Sequence, residues 1–321
     1  MTWLVVGGAG YIGAHVVRRL CAAGRRVVVL DDLSTGIQAR VPPEVPLTIA
    51  SVLDPHAVRA VLVEHGVDGV IHLAGAKSAP ESVTDPLRYY QQNLAALQVL
   101  IGAMVELGVS RMVLSSSAAV YGVPQHRLVT EESPTRPINP YGETKLLSEW
   151  LLRSAGAAYG ISWIALRYFN VVGSEDEVLA DRGGTNLFPL VFGQIAAGRP
   201  VLVTGSDYPT RDGTGVRDYV HVADVADAHL AAIRRLDRCA AAEVYNVGTG
   251  RGHSVLEVLA AVREVTGMPV RCRVLPRRPG DAPEVVAGVA KIGQELLWEA
   301  RNGLLDMVRS TWRTWLPMSA A

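Results

Sequence analysis

Cysteine is scarce. Cys21, Cys239 and Cys272 are the three in 321 residues, far apart and without a Cys-x-x-Cys. That excludes a disulfide framework and a zinc site of ordinary spacing, and it fits a reducing compartment. Net charge is also missing. The 31 Lys and Arg balance 31 Asp and Glu, so nothing points to nucleic acid or a membrane surface as partner. No apolar run approaches the ~20 residues needed to span a bilayer. The chain opens on the strand-like Trp3-Leu4-Val5-Val6 with no basic lead, and no signal peptide is expected. Internal repeats and low-complexity tracts are absent. What is present is a 49% apolar composition, usual for a well-packed globular protein, at a length suited to one large or two modest domains. A cytoplasmic protein is the expectation.

Residues 2–7 form a short apolar run that leads into Gly7-Gly8-Ala9-Gly10-Tyr11-Ile12-Gly13. An amphipathic stretch to about Ala23 follows, then Val27-Val28-Val29-Leu30 and Asp31-Asp32. This pattern predicts a strand, a glycine turn, a helix and a second strand. Glycines at 7, 10 and 13 permit a tight turn and let backbone amides approach a pyrophosphate at the helix N-terminus. Asp31 lies 18 residues past Gly13, where a carboxylate accepts from ribose hydroxyls. It favours NAD over NADP, whose 2′-phosphate it would repel. Further strands are expected at 47–50, 67–73, 111–115 and 162–168. Helices are expected from Asp54 to His65, from Pro86 to Leu107 and from Pro140 to about Ala158. Such alternation indicates a parallel, doubly wound sheet, with ligands beyond the carboxyl ends of its strands. The Gly7 turn, Asp31, Lys77, Ser117 and Phe169-Asn170 all fall at such ends.

Tyr141 and Lys145 stand four apart at the start of the Pro140 helix, so both point from one face. A phenol is a poor base at neutral pH, and a neighbouring ammonium is expected to lower its pKa. The pair is thus a candidate proton shuttle. Beyond Asn170 the texture changes. A polar loop at 174–185, containing Gly183 and Gly184, precedes a helix at 187–197. A second helix is expected at 223–236, and a strand at 243–247 that returns to the main sheet. Ser254 and Glu257 have capping-box spacing, and 304–315 reads as an amphipathic closing helix. Residues 1–170, with 217–248 returning to them, are read as the dinucleotide-binding domain, and 171–321 as a smaller substrate domain. His72 and His221 sit in apolar strand-like context without a partner at metal-ligand spacing, so structural roles are expected and no metal. His253 reads as an exposed loop residue, and Trp298, Trp312 and Trp315 as core or interface.

Four stretches together resemble the extended short-chain dehydrogenase/reductase superfamily, and within it the UDP-glucose (UDP-galactose) 4-epimerases. They are the glycine turn, Ser115 to Gly122, Tyr141 to Lys145, and Asp207 to Val222; the last is particular to the epimerase branch. The resemblance, which runs from about 3 to about 315, implies tightly bound NAD and transient oxidation at C4 of a UDP-hexose. Tyr141 would be the base, Lys145 would hold its phenolate and bond the nicotinamide ribose, and Ser117 would bond the 4-oxygen. Tyr11, Ile12 and Asp31, Asp32, Leu33, Ser34, Thr35 and Gly36 would contact the NAD adenosine and pyrophosphate. Ser51 and Val52 would meet its adenine, and Leu73, Ala74, Gly75, Ala76, Lys77, Asn93 and Phe169 would line its nicotinamide half. Lys77, Asn170, Asn186, Leu187 and Tyr219 would meet the UDP-sugar, and backbone groups of Leu202, Val203 and Thr204 its uracil. Arg217 and Arg278 would bind the diphosphate, and Asp281 the uridine ribose. A homodimer through the helices at 86–107 and 139–158 is also implied.

The chain departs from that pattern at named places. Ser51 stands where an acid usually meets the adenine amino group, Val171 where Pro follows Phe-Asn, and Thr204 where an aromatic is usual. Val285 stands near a place where a larger side chain restricts the sugar pocket in some members. A small residue there implies room for a 2-acetamido group. Other nucleotide-sugar epimerases, reductases and dehydratases are the nearest alternatives, and a catalytically silent NAD-linked sensor is a more distant one. A dehydratase needs an acid–base pair after the central serine, where this chain has Ser117-Ala118-Ala119.

Overall fold

The computed structural model describes residues 1–181, 186–278 and 280–319, with side chains through 315. Gly183 and Gly184 of the expected polar loop lie outside the described residues. The first half of the chain runs β1 (Thr2–Val6), α1 (Tyr11–Ala22), β2 (Arg26–Asp31), β3 (Leu47–Ile49), α2 (Pro55–Glu64), β4 (Gly69–His72), α3 (Ala79–Thr84), α4 (Pro86–Tyr89), α5 (Ala96–Leu107), β5 (Arg111–Ser117), β6 (Leu128–Val129), α6 (Pro140–Tyr159) and β7 (Ser162–Tyr168). The second half runs β8 (Asn170–Val172), α7 (Leu187–Ala196), β9 (Val201–Thr204), β10 (Val216–His221), α8 (Val222–Arg238), β11 (Ala242–Val247), β12 (Gly252–Ser254), α9 (Val255–Thr266), β13 (Cys272–Leu275), β14 (Glu284–Ala287), α10 (Ala290–Leu296) and α11 (Leu304–Ser319).

Seven described strands form one parallel sheet in the order β11-β7-β5-β4-β1-β2-β3. The alternation of strands and helices therefore yields the expected doubly wound, Rossmann-type α/β fold. Both faces of the sheet are covered. Trp3 and Val5 pack with α1 and α8 residues such as Val17 and Ile233, whereas Leu4 and Val6 pack with Leu62, Leu97 and Leu100. This two-sided burial explains why β1 and β2 read as unbroken apolar runs. Each fully buried Val or Leu contributes roughly 1.5–3 kcal/mol. The strand order reverses between β1 and β4, which places a crevice beyond their carboxyl ends.

The remaining strands build a second layer around β10, which pairs with β8, β12 and β14; β6 flanks β14. Residues 217–248 therefore divide. β10 lies in the smaller sheet, α8 packs against α1 and β7, and β11 pairs with β7 in the large sheet. α7, α9 and α11 share a core of Phe188, Phe192, Val258, Val262 and Met307. Trp312 and Trp315 stack at 5.5 Å and tilt against Phe192, the core placement expected of them. Trp298 is buried too, and its indole N–H donates to the Asp224 carbonyl at 3.0 Å.

Helix ends follow local chemistry. The Asp54 side chain accepts from the amides of His56 and Ala57, Asn139 accepts from the Gly142 amide, and Ser254 with Glu257 forms the complete capping box. Two expectations are corrected. The 86–107 helix widens into a π-helical stretch over Tyr90–Ala95, the kind of bulge that re-aims a side chain. It carries the buried Asn93, whose side chain bonds Ala76 and Thr144. His253 is no loop residue: it is half-buried in β12, opposite Arg217, and burial lowers its pKa.

Candidate active site

β1, β2, β4, β5 and β7 open at their carboxyl ends on a cleft of about 750 Å³. The glycine turn forms one end. Gly7 has a φ of +85°, and a Cβ on it would come within 2.5 Å of the Ala74 amide nitrogen. A Cβ on Gly13 would stand 2.0 Å from the Gly7 carbonyl oxygen. Gly10 is the N-cap of α1 and brings no capping side chain, and the first turn holds no acid. The amides of that turn thus face the cleft as an anion site. Asp31 ends β2. Its two oxygens accept from the amides of Ala9 and Leu33, each at 2.9 Å, and burial raises its pKa. Leu33, at φ +57°, and Gly36, whose added Cβ would meet the Asp31 carboxylate at 2.5 Å, shape this wall from behind. Asp32, Ser34, Thr35, Ser51, Val52 and Leu73 to Lys77 complete the lining. The Ser51 hydroxyl accepts from the Leu53 amide at 3.2 Å and keeps its own proton to donate. A cradle that no Cβ could enter, with a carboxylate at the next strand end, fits a dinucleotide.

Ser117, Tyr141, Lys145 and Phe169 line the opposite wall. Ser117 ends β5, where its hydroxyl accepts from the Ala119 amide at 3.1 Å. Tyr141 and Lys145 lie one turn apart on α6 and both reach the cleft, as their spacing predicts. The expected lowering of the phenol pKa is not found. Burial raises Tyr141 above its ordinary 10.0, and a hydrogen bond with Ser117 offsets only part of this. The reason is where the ammonium points: Lys145 Nζ donates to the Ser115 carbonyl at 2.9 Å. Burial brings Lys145 itself down to about 8, opposed by the Glu149 charge. His72, buried beside Lys145, is pushed down to about 3 and stays neutral.

The cleft lining continues with Asn170, Asn186, Leu187 and Tyr219. Other expected contacts stand outside the lining. Asn93 lies behind it and ties Ala76 to Thr144. Arg217 forms an ion pair with Asp281 at 3.6 Å, and Arg278 is exposed. Its neighbour Arg277 instead binds Asp207 and lies 4.3 Å over the Tyr208 ring. Leu202 is exposed and Val203 points into the α7 core, which leaves Thr204 and the β9 backbone as the polar surface there. Val285 is half-buried beside Phe169, Leu146 and Tyr121.

Several residues of the site were not legible. Glu149 accepts from both Arg167 Nε (2.9 Å) and Arg167 Nη2 (2.6 Å), and from the Ser116 hydroxyl at 2.5 Å. Arg167 continues to Tyr121, and Tyr121 to Asn246. This buried network backs the strand end that carries Ser117. The one signal for it was the step of four from Lys145 to Glu149, which places them on the same helix face. Arg40 and Asp181 also line the cleft, from loops with no diagnostic pattern.

A family profile described as "NAD dependent epimerase/dehydratase family" matches residues 3–248. The UDP-glucose 4-epimerase of Azospirillum brasilense is 44% identical over 96% of this chain and 90% of its own length. That of Bacillus subtilis is 43% identical over 98% and 96%. The crystal structure of the UDP-glucose 4-epimerase from Stenotrophomonas maltophila, with bound NAD and formylated UDP-arabinopyranose, superposes with a TM-score of 0.96 at 41% identity, covering 100% of both chains. Cleft and likeness agree: the chain belongs to the NAD dependent epimerase/dehydratase family and, within it, to the UDP-glucose 4-epimerases.

Proposed function

We propose that this protein is an NAD-dependent UDP-glucose 4-epimerase that interconverts UDP-glucose and UDP-galactose. The observation that carries the reading is the meeting of Ser117, Tyr141 and Lys145 on one wall of a cleft whose far end is the glycine turn. Bound NAD supplies the hydride acceptor and donor for sugar C4, and the glycine turn, Asp31 and the 73–77 segment would hold it. Tyr141 takes the proton of the 4-hydroxyl as C4 is oxidised and returns it when C4 is reduced from the other face. Lys145 stabilises the phenolate when it turns from Ser115 toward Tyr141. Ser117 bonds the 4-oxygen and relays its proton. The sequence involves no net redox change. Ala118 and Ala119 form the turn after Ser117, and their methyl groups cannot supply the second acid–base pair of a dehydratase.

Residues 1–170, with α8 and β11, serve as the NAD-binding unit, and the rest of 171–321 as the UDP-sugar unit. Asn170, Asn186, Leu187 and Tyr219 meet the sugar, the backbone of 202–204 the uracil, Arg217 and Arg278 the diphosphate, and Asp281 the uridine ribose. The Arg217–Asp281 pair supports these roles by holding two of the groups together. The chain acts as a cytoplasmic homodimer. Apolar side chains exposed on the helices concerned support this, with Leu87 at 82% and Trp150 at 46% exposure. Among the described residues no helix is long and apolar enough to cross a membrane.

Purified protein with UDP-galactose, followed by NMR with and without added NAD⁺, tests the reading. The expected outcome is conversion to the gluco epimer. No epimer in the presence of NAD⁺ overturns it. A parallel arm with UDP-N-acetylgalactosamine tests the room left by Val285. Turnover there is expected, and its absence beside good UDP-galactose activity removes the acetamido substrate.

A further inference from the structure

Arg40 has no part in the chemistry above, yet it is among the most buried charges of the molecule, at 3% exposure. It closes a short 3-10 turn, Gln38–Arg40, in the connection from β2 to β3. Its guanidinium reaches across to the segment between β8 and α7. Nε donates to the Val178 carbonyl at 3.0 Å and Nη2 to the Ala180 carbonyl at 2.6 Å. Removing a guanidinium from water costs several kcal/mol and is tolerated only where its donors are satisfied. The two carbonyls therefore hold Arg40, and Arg40 holds them. The planar fork suits two acceptors set two residues apart better than a single ammonium does.

The segment so held leads straight into the cleft. Its first half is fastened separately: the Tyr11 hydroxyl donates to the Gly173 carbonyl at 2.5 Å, and the Glu175 amide to His15 at 3.4 Å. Its second half, 178–181, is where Arg40 acts. Asp181 follows Ala180 directly, is 8% exposed and lines the cleft. The side-chain amide of Asn186 donates to the Asp181 carboxylate. Asn186 is the N-cap of α7 but makes no side-chain bond to that helix, so its orientation follows Asp181. Tyr11 experiences the charges of both Asp181 and Arg40, which places all three at one junction.

We propose that Arg40 is a positioning residue of the sugar-binding wall. It pins 178–181 to the dinucleotide-binding unit and so sets, through Asp181, where Asn186 stands in the cleft. This inference rests on Asn186 meeting the sugar, as proposed above. Arg40 touches neither Tyr141 nor the sugar in that reading, so its loss acts on substrate binding rather than on the chemical step.

The test is Arg40→Met beside Arg40→Lys, each purified with its NAD. Arg40→Met is expected to raise KM for UDP-galactose about tenfold while kcat stays within about twofold of wild type, the mark of lost uniform binding. Arg40→Lys is expected to recover part of the loss, since an ammonium still donates to one of the carbonyls. Hydrogen exchange followed by mass spectrometry should speed up in 174–181 and leave α1 and β7 unchanged. A wild-type KM in Arg40→Met, or a fall in kcat at unchanged KM, overturns the proposal, and so does unchanged exchange in 174–181. If Arg40→Met does not fold, Arg40→Lys decides by the same readouts: a raised KM with faster exchange in 174–181 supports the proposal, and wild-type values overturn it. If the wild-type protein leaves UDP-galactose unconverted, the functional reading fails by itself. The exchange measurement needs no substrate and still decides whether Arg40 holds the segment.

Discussion

Lys145 occupies an unfavourable place for stability and a useful one for chemistry. Its pKa falls from 10.5 to about 8 on burial. Between these pH values the unfolded chain binds a proton that the folded chain does not, so this group makes stability rise with pH across that window. Below pH 8 the full cost is present, on the order of 3 kcal/mol. Lys145→Met removes that cost but leaves the Ser115 carbonyl without its donor, which costs about 1 kcal/mol. Urea titrations of NAD-free protein should therefore find the variant more stable than wild type by on the order of 2 kcal/mol at pH 7. The advantage should vanish by pH 10.5, the pH of the unperturbed ammonium. An advantage that does not depend on pH would contradict the assignment. Tyr141→Phe tests the base. It should lower kcat by roughly 10²–10⁴-fold with the fold intact by circular dichroism, and a loss below tenfold would remove Tyr141 from that role. The spacing of these two residues was readable because a helix is a local structure. The direction of the Tyr141 shift was not, because burial and the turning of Lys145 toward Ser115 depend on strands far away in the chain.

α6 ranks highest among the elements for what it carries. One face presents Tyr141 and Lys145 to the cleft, and one turn further on Glu149 enters the sheet side to meet Arg167 of β7. Both partners of that pair are nearly buried, with side-chain exposures of 6% and 5%. Glu149→Ala would leave a buried guanidinium unpaired and should cost on the order of 3–5 kcal/mol in urea unfolding. A cost under 1 kcal/mol would mean that water or Tyr121 takes over from the carboxylate. The helix itself was legible from Asn139-Pro140 and its length, as was the capping box at Ser254. The π-helical stretch at Tyr90–Ala95 was not. It carries Asn93, which bonds Ala76 and Thr144, partners supplied by other elements.

Residues far apart in the chain, from the glycine turn to Tyr219, share the cleft, and an epimerase of this kind is proposed to work as a pair of chains. Light scattering coupled to size exclusion should give twice the 34.4 kDa chain mass. Leu87→Asp should shift the profile toward one chain, since a charge on a buried apolar contact is costly. An unshifted profile would place the interface elsewhere. The glycine turn, the acid at the end of β2, the alternation of strand and helix and the Tyr-x-x-x-Lys step were all present in the linear chain. Each depends on near neighbours: backbone room at a turn, a 3.6-residue period, an apolar run. Packing alone brought β10 into the smaller sheet, moved Asn93 behind the wall, put Glu149 on Arg167 and buried Arg40 against Val178 and Ala180. Those contacts join residues up to 140 positions apart. Their energies come from desolvation and from hydrogen bonds between elements, which no local pattern encodes.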